Sequence, residues 1–205
     1  MDPTLRRQGE AARGFLLPSE GLALHGAGLI GGQVGPLLEV GSYCGKSAVY
    51  LGAAARECRT VLYTIDHHRG SEEQQPGQDY YEPGLVGPDG RIDSLPALRV
   101  TLAEAGLDEE VVIIVARSGT VSTYWRTPLG LVFIDGSHTE ESVRADFQGW
   151  SPHLIAGGIL AIHDVFPDPA DGGGAPFLIF TEALASGAFE PLVEEASLRV
   201  LRRVA

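Results

Sequence analysis

From Gly35 onward, short, predominantly apolar runs that read as buried alternate with longer stretches of helical period. The apolar runs cover 37–40, 61–65, 111–115, 131–134 and 159–162. Runs of this length with no polar alternation read as strands buried on both faces, and helical stretches between them read as crossovers, so the pattern predicts a parallel sheet. The helices fall at 47–57, 94–105 ended by Gly106, 139–149 opened by Thr139 ahead of two glutamates, and 177–186 ended by Gly187. At the C-terminus, 189–194 and 197–204 read as two strands joined by a tight Glu195-Ala196 turn, an antiparallel hairpin that closes the sheet. Residues 1–34 carry small and apolar positions around Leu16, Leu22, Leu24 and Leu29, broken by Pro18 and several glycines, and predict a helical cover.

With 205 residues, 44% apolar and 20% charged, the chain has material for one core, and a single domain over 1–205 is expected. No run approaches the roughly eighteen apolar residues of a membrane span, and 1–10 is too charged for a secretory signal. The net charge is −12 and Lys46 is the sole lysine, so no basic patch serves phosphates and neither nucleic acid nor membrane is an expected partner. Cys44 and Cys58 flank a predicted helix and stand roughly 18 Å apart, beyond disulfide reach. A reduced, cytoplasmic location is the simplest expectation.

Two connections exceed ordinary joints. Residues 67–93 are rich in Gly, Pro and acids and include Tyr80 and Tyr81, and 163–176 contain Pro167, Pro169 and three consecutive glycines. Both leave the carboxyl ends of predicted strands, where open α/β sheets bind ligands.

Three motifs sit at those strand ends. In Leu37-Leu-Glu-Val-Gly-Ser-Tyr-Cys-Gly-Lys-Ser47 a strand runs through a glycine-flanked turn into a helix whose exposed amides favour an anion. The fuller Gly-x-Gly-x-x-Gly of a dinucleotide site is absent, and the glycines alone leave a ligand turn and a structural turn equally open. In Tyr63-Thr-Ile-Asp66 a carboxylate follows the turn by about twenty residues, where a ribose would present its hydroxyls. Phe133-Ile-Asp-Gly-Ser-His138 and Ala161-Ile-His-Asp-Val165 end neighbouring strands. Adjacent strands lie roughly 4.8 Å apart, so Asp135, His163 and Asp164 can converge on one divalent cation, or form an Asp–His pair across the strand ends. Such a set suits magnesium, manganese or zinc without choosing among them.

The first motif and the strand order resemble class I S-adenosylmethionine-dependent O-methyltransferases of the catechol type over nearly the whole chain. The resemblance implies a Rossmann-like seven-stranded, mostly parallel α/β sheet with an antiparallel seventh strand and helices on both faces. It implies S-adenosylmethionine as cofactor, with Glu39, Gly41, Tyr43 and Ser47 around its methionine end, Asp66 on the ribose, Ser118 near the adenine and Asp135 facing both cofactor and metal. It implies magnesium as the divalent metal, although His163 stands where that family has an acid. His138 occupies the place of the family's basic catalytic residue, and a neutral imidazole takes a proton near pH 7. His67 is the alternative base.

An acidic, histidine-rich crevice under a Gly/Pro loop favours a small, polar, hydroxylated acceptor such as a sugar. The run from Asp66 through His67, His68 and Arg69, with the two later motifs, resembles mycobacterial enzymes that methylate the 1-OH of short 3-O-methylmannosides in methylmannose polysaccharide synthesis. That resemblance implies an acceptor side made of His67, His68, Arg69, Glu72, Glu73, Tyr80 and Tyr81, and a homodimer. A phenol or natural-product O-methyltransferase is the second reading, ranked lower because aromatics are 7% of the chain and few lie near the motifs. A dehydrogenase lacks its glycine and Tyr-x-x-x-Lys signatures. A non-catalytic cofactor-binding module would need none of Asp135, His138, His163 and Asp164.

Overall fold

The computed structural model describes residues 1–168 and 174–204. Residues 169–173, within the second long connection, lie outside the described residues. The strands are β1 (Leu37–Val40), β2 (Leu62–Asp66), β3 (Val111–Val115), β4 (Leu129–Ile134), β5 (Leu154–Ile162), β6 (Phe189–Glu195) and β7 (Leu198–Arg203). The helices are α1 (Pro3–Ala11), α2 (Pro18–Gly32), α3 (Lys46–Cys58), α4 (Leu95–Ala105), α5 (Ser118–Tyr124), α6 (Glu140–Trp150) and α7 (Ala175–Ala185). One sheet has the order β3-β2-β1-β4-β5-β7-β6. β1 to β5 are parallel, and β7 runs antiparallel between β5 and β6. The expected mostly parallel sheet with its antiparallel C-terminal hairpin is therefore present.

Strand alternation divides the core in two. Leu37, Leu62, Leu131, Phe133 and Ile159 pack with α1 to α4 on one face. Leu38, Val40, Ile65, Val132, Ile134 and Leu160 pack with α6 and α7 on the other. Each fully buried Leu or Ile contributes about 2 kcal/mol relative to exposure, so a slip of one residue would be prohibitive, and the register is fixed by the two faces together. Glu39, between Leu38 and Val40, is thereby held on the α3 side at full burial.

Three elements depart from expectation. α2 runs unbroken through five glycines because those at 21, 28, 31 and 32 pack where a Cβ would collide with Tyr50, Ala54, Gly130 or Cys58. β5 begins at Leu154 rather than 159, since Gly157 and Gly158 interrupt its apolar run while the main chain continues the sheet. The mostly polar, seven-residue α5 had no periodic signal. Among the described residues no helix is long and apolar enough to cross a membrane.

Candidate active site

The parallel strands deliver their carboxyl ends to one crevice, and a glycine sets how close they come. Gly41 has φ 91°, and a Cβ there would lie 2.0 Å from the main-chain oxygen of Asp135. Only glycine lets the turn after β1 lie against the end of β4. Gly45, with φ 93°, then caps α3. The Asp66 carboxylate braces this turn, accepting from the Tyr43 N–H (2.9 Å) and the His68 N–H (2.7 Å). Glu39 accepts from the Thr64 hydroxyl, while its Oε1 has no partner. Burial pushes the Glu39 carboxyl up to about 7, against hydrogen bonds from Ser47 and Thr64 that favour the charged form.

At the ends of β4 and β5 lies a chain of alternating acids and imidazoles. His163 is 4% exposed. Its Nδ1 lies 3.1 Å from Asp135 and 3.3 Å from Asp164, and its Nε2 lies 3.1 Å from Glu20. Burial alone would lower its pKa, but the charge and hydrogen bond of Asp135, with Asp164 and Glu20, hold it strongly raised, so His163 is an imidazolium. Glu20, on α2, also accepts from the Ser197 N–H and hydroxyl (both 2.8 Å), and these partners outweigh its burial to bring it down to about 2. His138 lies 3.0 Å from Asp164 through Nε2 and 3.1 Å from Glu73 through Nδ1. Its hydrogen bond to Asp164 raises it to about 9 despite burial.

The structure therefore regroups the expected metal set. The ligand atoms that lie within 4.8 Å of one another belong to Asp135, His138 and Asp164. His163, expected as a ligand, has both ring nitrogens on carboxylates and ties Asp135 and Asp164 to α2. Asp164 itself has φ 55°, which turns its side chain from the end of β5 toward His138.

The segment 67–93 is a folded cover with two short 3₁₀ turns and its own small core of Leu85 and Ile92 against Cys44. It is fastened over the crevice by Glu72 to the Ser137 hydroxyl (2.9 Å), Glu73 to His138, and Arg13 to Glu82 (3.0 Å). Of the expected acceptor residues, Glu73 and Tyr80 line the cleft. The others serve the cover: His67 accepts from the Arg69 N–H, Arg69 pairs with Asp89 and Tyr81 packs beside the small core. His68 is buried on Ser94 (2.8 Å). Ser118 accepts from the Trp150 indole (2.7 Å) and bonds to Asp146, which joins α5 to α6.

Sequence reasoning missed Glu20 and Phe15. Glu20 reads as an ordinary acid in the first turn of a helix, and its partners His163 and Ser197 are 143 and 177 residues away. Phe15 lies between α1 and α2, 56% exposed, stacked on Tyr43 (5.8 Å between centroids) and edge-on to Tyr80 (5.2 Å). The aromatic signal was present at each position, but nothing local placed the three together.

A family model described as a methyltransferase domain matches residues 38–165. Among solved structures, the fold is similar to that of the O-methyltransferase NovP, with TM-score 0.69 and 15% identity over 98% of this chain and 88% of that one. It is similar to TomG from Streptomyces achromogenes, an O-methyltransferase of tomaymycin synthesis solved with SAM, with TM-score 0.66 and 19% identity over 100% and 91%. An O-methyltransferase from Bacillus cereus in complex with SAH gives TM-score 0.66 and 14% identity over 100% and 92%.

Proposed function

The chain belongs to the methyltransferase domain family, and from that membership we propose that it transfers the methyl group of S-adenosylmethionine to a hydroxyl of a small polar acceptor, a sugar in the first instance. The observation that carries this reading is a single cleft lined on one side by Gly41, Tyr43 and Ser47 and on the other by Asp135, His138 and Asp164. Cofactor turn and proton-handling groups thus face the same space.

Methyl transfer from a sulfonium is an in-line displacement, so the site must align the acceptor oxygen with the methyl carbon, exclude water and remove the hydroxyl proton. In this reading the turn 41–47 and Glu39 hold the methionine end, Asp66 holds the ribose, and the cover 67–93 excludes water. His138 takes the proton at Nε2 once that nitrogen has lost its own proton and with it the hydrogen bond to Asp164, while Glu73 at Nδ1 orients the ring. The donor chemistry of Asp135 and Asp164, two carboxylates with an imidazole beside them, fits a divalent cation. Those two carboxylates would hold it, and it would supply acidification of the acceptor hydroxyl. His163 and Glu20 keep the two carboxylates in place.

A sugar is supported by the cleft mouth, where the Phe15, Tyr43 and Tyr80 rings stand near the polar groups of Arg13, Glu73 and Gln74. An apolar ring face beside hydrogen-bonding groups suits a pyranose. The same three rings favour the second reading, a phenolic acceptor, because they supply the aromatic wall that the sequence left unassembled. The deciding experiment is calorimetric titration with S-adenosylmethionine and, separately, NAD, followed by methyl-transfer assays with short 3-O-methylmannosides and with catechols, each with magnesium and with a chelator. Binding of S-adenosylmethionine and turnover of the mannoside are expected; NAD binding alone would overturn the enzyme class, and turnover of catechols alone the acceptor.

A further inference from the structure

The sheet has two free edges, β3 and β6, and they are treated differently. β6 carries Pro191, a register shift between Pro191 and Val193, and exposed Glu190 and Glu194. These are the features by which an edge strand refuses another strand. β3 has none of them: it is five β-branched residues, Val111-Val-Ile-Ile-Val115, with Val112 41% and Val115 54% exposed.

The hydrogen bonding of β3 defines what its outer side offers. Leu62 N–H donates to the Glu110 carbonyl and Ala116 N–H to the Asp66 carbonyl, so residues of even number face β2. Strand alternation turns the main-chain groups of Val111, Ile113 and Val115 off the edge. Val111 N–H is taken by the Leu107 carbonyl (3.1 Å). The N–H groups of Ile113 and Val115 and the carbonyls of all three residues remain directed outward.

The charges at the two ends of β3 are opposite. Glu109 precedes the strand and Arg117 follows it, both exposed. Glu110 is engaged with Arg56 (2.8 Å), whereas Glu109 and Arg117 form no ion pair among the described residues.

We propose that β3 is the contact edge of a homodimer, in which two copies of this chain pair their β3 strands antiparallel about a two-fold axis at Ile113. In this register Ile113 faces Ile113, Val111 faces Val115, and Glu109 faces Arg117 at both ends. Each Ile113 N–H donates to the opposite Ile113 carbonyl, and each Val115 N–H to the opposite Val111 carbonyl. The occupied Val111 N–H is not called upon. Sliding to either neighbouring permitted register sets Glu109 against Val115 or Gly119 and loses both charge pairs, so the end charges select one alignment. The strand is complementary to itself, which is the requirement of a two-fold interface.

The test is analytical ultracentrifugation of the full chain and of three variants. Val115→Pro removes an outward N–H that the monomer does not use, at an exposed position, and so takes away two of the intermolecular bonds while the fold is retained. It should raise the dimer dissociation constant about tenfold or more. Arg117→Glu, which sets Glu against Glu109, should also weaken the dimer, and wild-type association should fall with added salt. The double exchange Glu109→Arg with Arg117→Glu should restore it, an outcome that loss of folding in the single variant could not produce. A wild-type chain that stays monomeric at all attainable concentrations overturns the proposal, as does a dimer that all three variants leave unchanged. Recovery of the chain with an extended segment of another protein on β3, and no self-association, overturns it as well.

Discussion

His138 enters the cleft carrying a proton. Its hydrogen bond to Asp164, with the charges of Asp164 and Glu73, raises it to about 9, so at neutral pH it is mostly an imidazolium and cannot act as a base. The neutral fraction grows as pH rises. If His138 is the base, kcat/KM climbs nearly tenfold per pH unit and then levels, near pH 9 while Asp164 is free of a cation and at lower pH with one bound there, and Glu73→Gln moves that limb to lower pH. His138→Ala should cut turnover by roughly two to four decades with cofactor affinity retained. A pH-rate profile of the three proteins checks both statements. Glu39 behaves in the opposite sense. Buried and raised to about 7, it is largely neutral below that pH, and its unpartnered Oε1 awaits a donor. If Glu39 holds the ammonium group of the cofactor, as the proposed function has it, affinity for S-adenosylmethionine should fall as pH drops below about 7, approaching tenfold per unit. Glu39→Gln should bind more weakly at pH about 8 and show a flat profile, measurable by titration calorimetry.

At the scale of elements, the N-terminal segment, distant in sequence from the strand ends, finishes the site. α2 supplies Glu20 to His163, and the turn before α2 supplies Phe15 to the cleft mouth. Phe15 is substantially exposed and belongs to neither core cluster, so Phe15→Ala should cost little stability. It should raise KM for the acceptor by about three- to tenfold, the worth of an aromatic contact, and leave kcat and cofactor affinity near wild type. An equal rise in the cofactor's Kd would instead place Phe15 on the cofactor. The elements that periodicity announced are those with continuous apolar runs or clear stop signals, such as β3 and α4 before Gly106. α5 escaped because Val121 and Tyr124 among five polar or small residues make too short an apolar pattern to show a period, and the first half of β5 escaped because Gly157 and Gly158 contribute main chain but no side chain. The cover 67–93 read as a loop for a similar reason: its order depends on Leu85 and Ile92 meeting Cys44, a contact between segments rather than a local pattern.

For the whole molecule, the site exists only because two strand ends touch. Gly41→Ala would drive a Cβ into the Asp135 carbonyl and strain a φ of 91°. The combined cost is at least about 3 kcal/mol. A drop in Tm together with loss of S-adenosylmethionine binding is expected, read by differential scanning calorimetry with and without cofactor. An alanine variant as stable as wild type would mean that β1 and β4 can separate without penalty. The amino-acid sequence by itself determined the parallel sheet, the hairpin, and the positions of Gly41, Asp66, Asp135, His138 and Asp164 at strand ends, because burial periodicity and turn chemistry are local properties of the chain. Only the tertiary structure decided that His163 is a clamped imidazolium, that Glu20 and Phe15 belong to the site, and that β3 rather than β6 is the unguarded edge. Those outcomes depend on charge partners, ring contacts and strand order brought together from distant segments, and packing alone decides which distant segments meet.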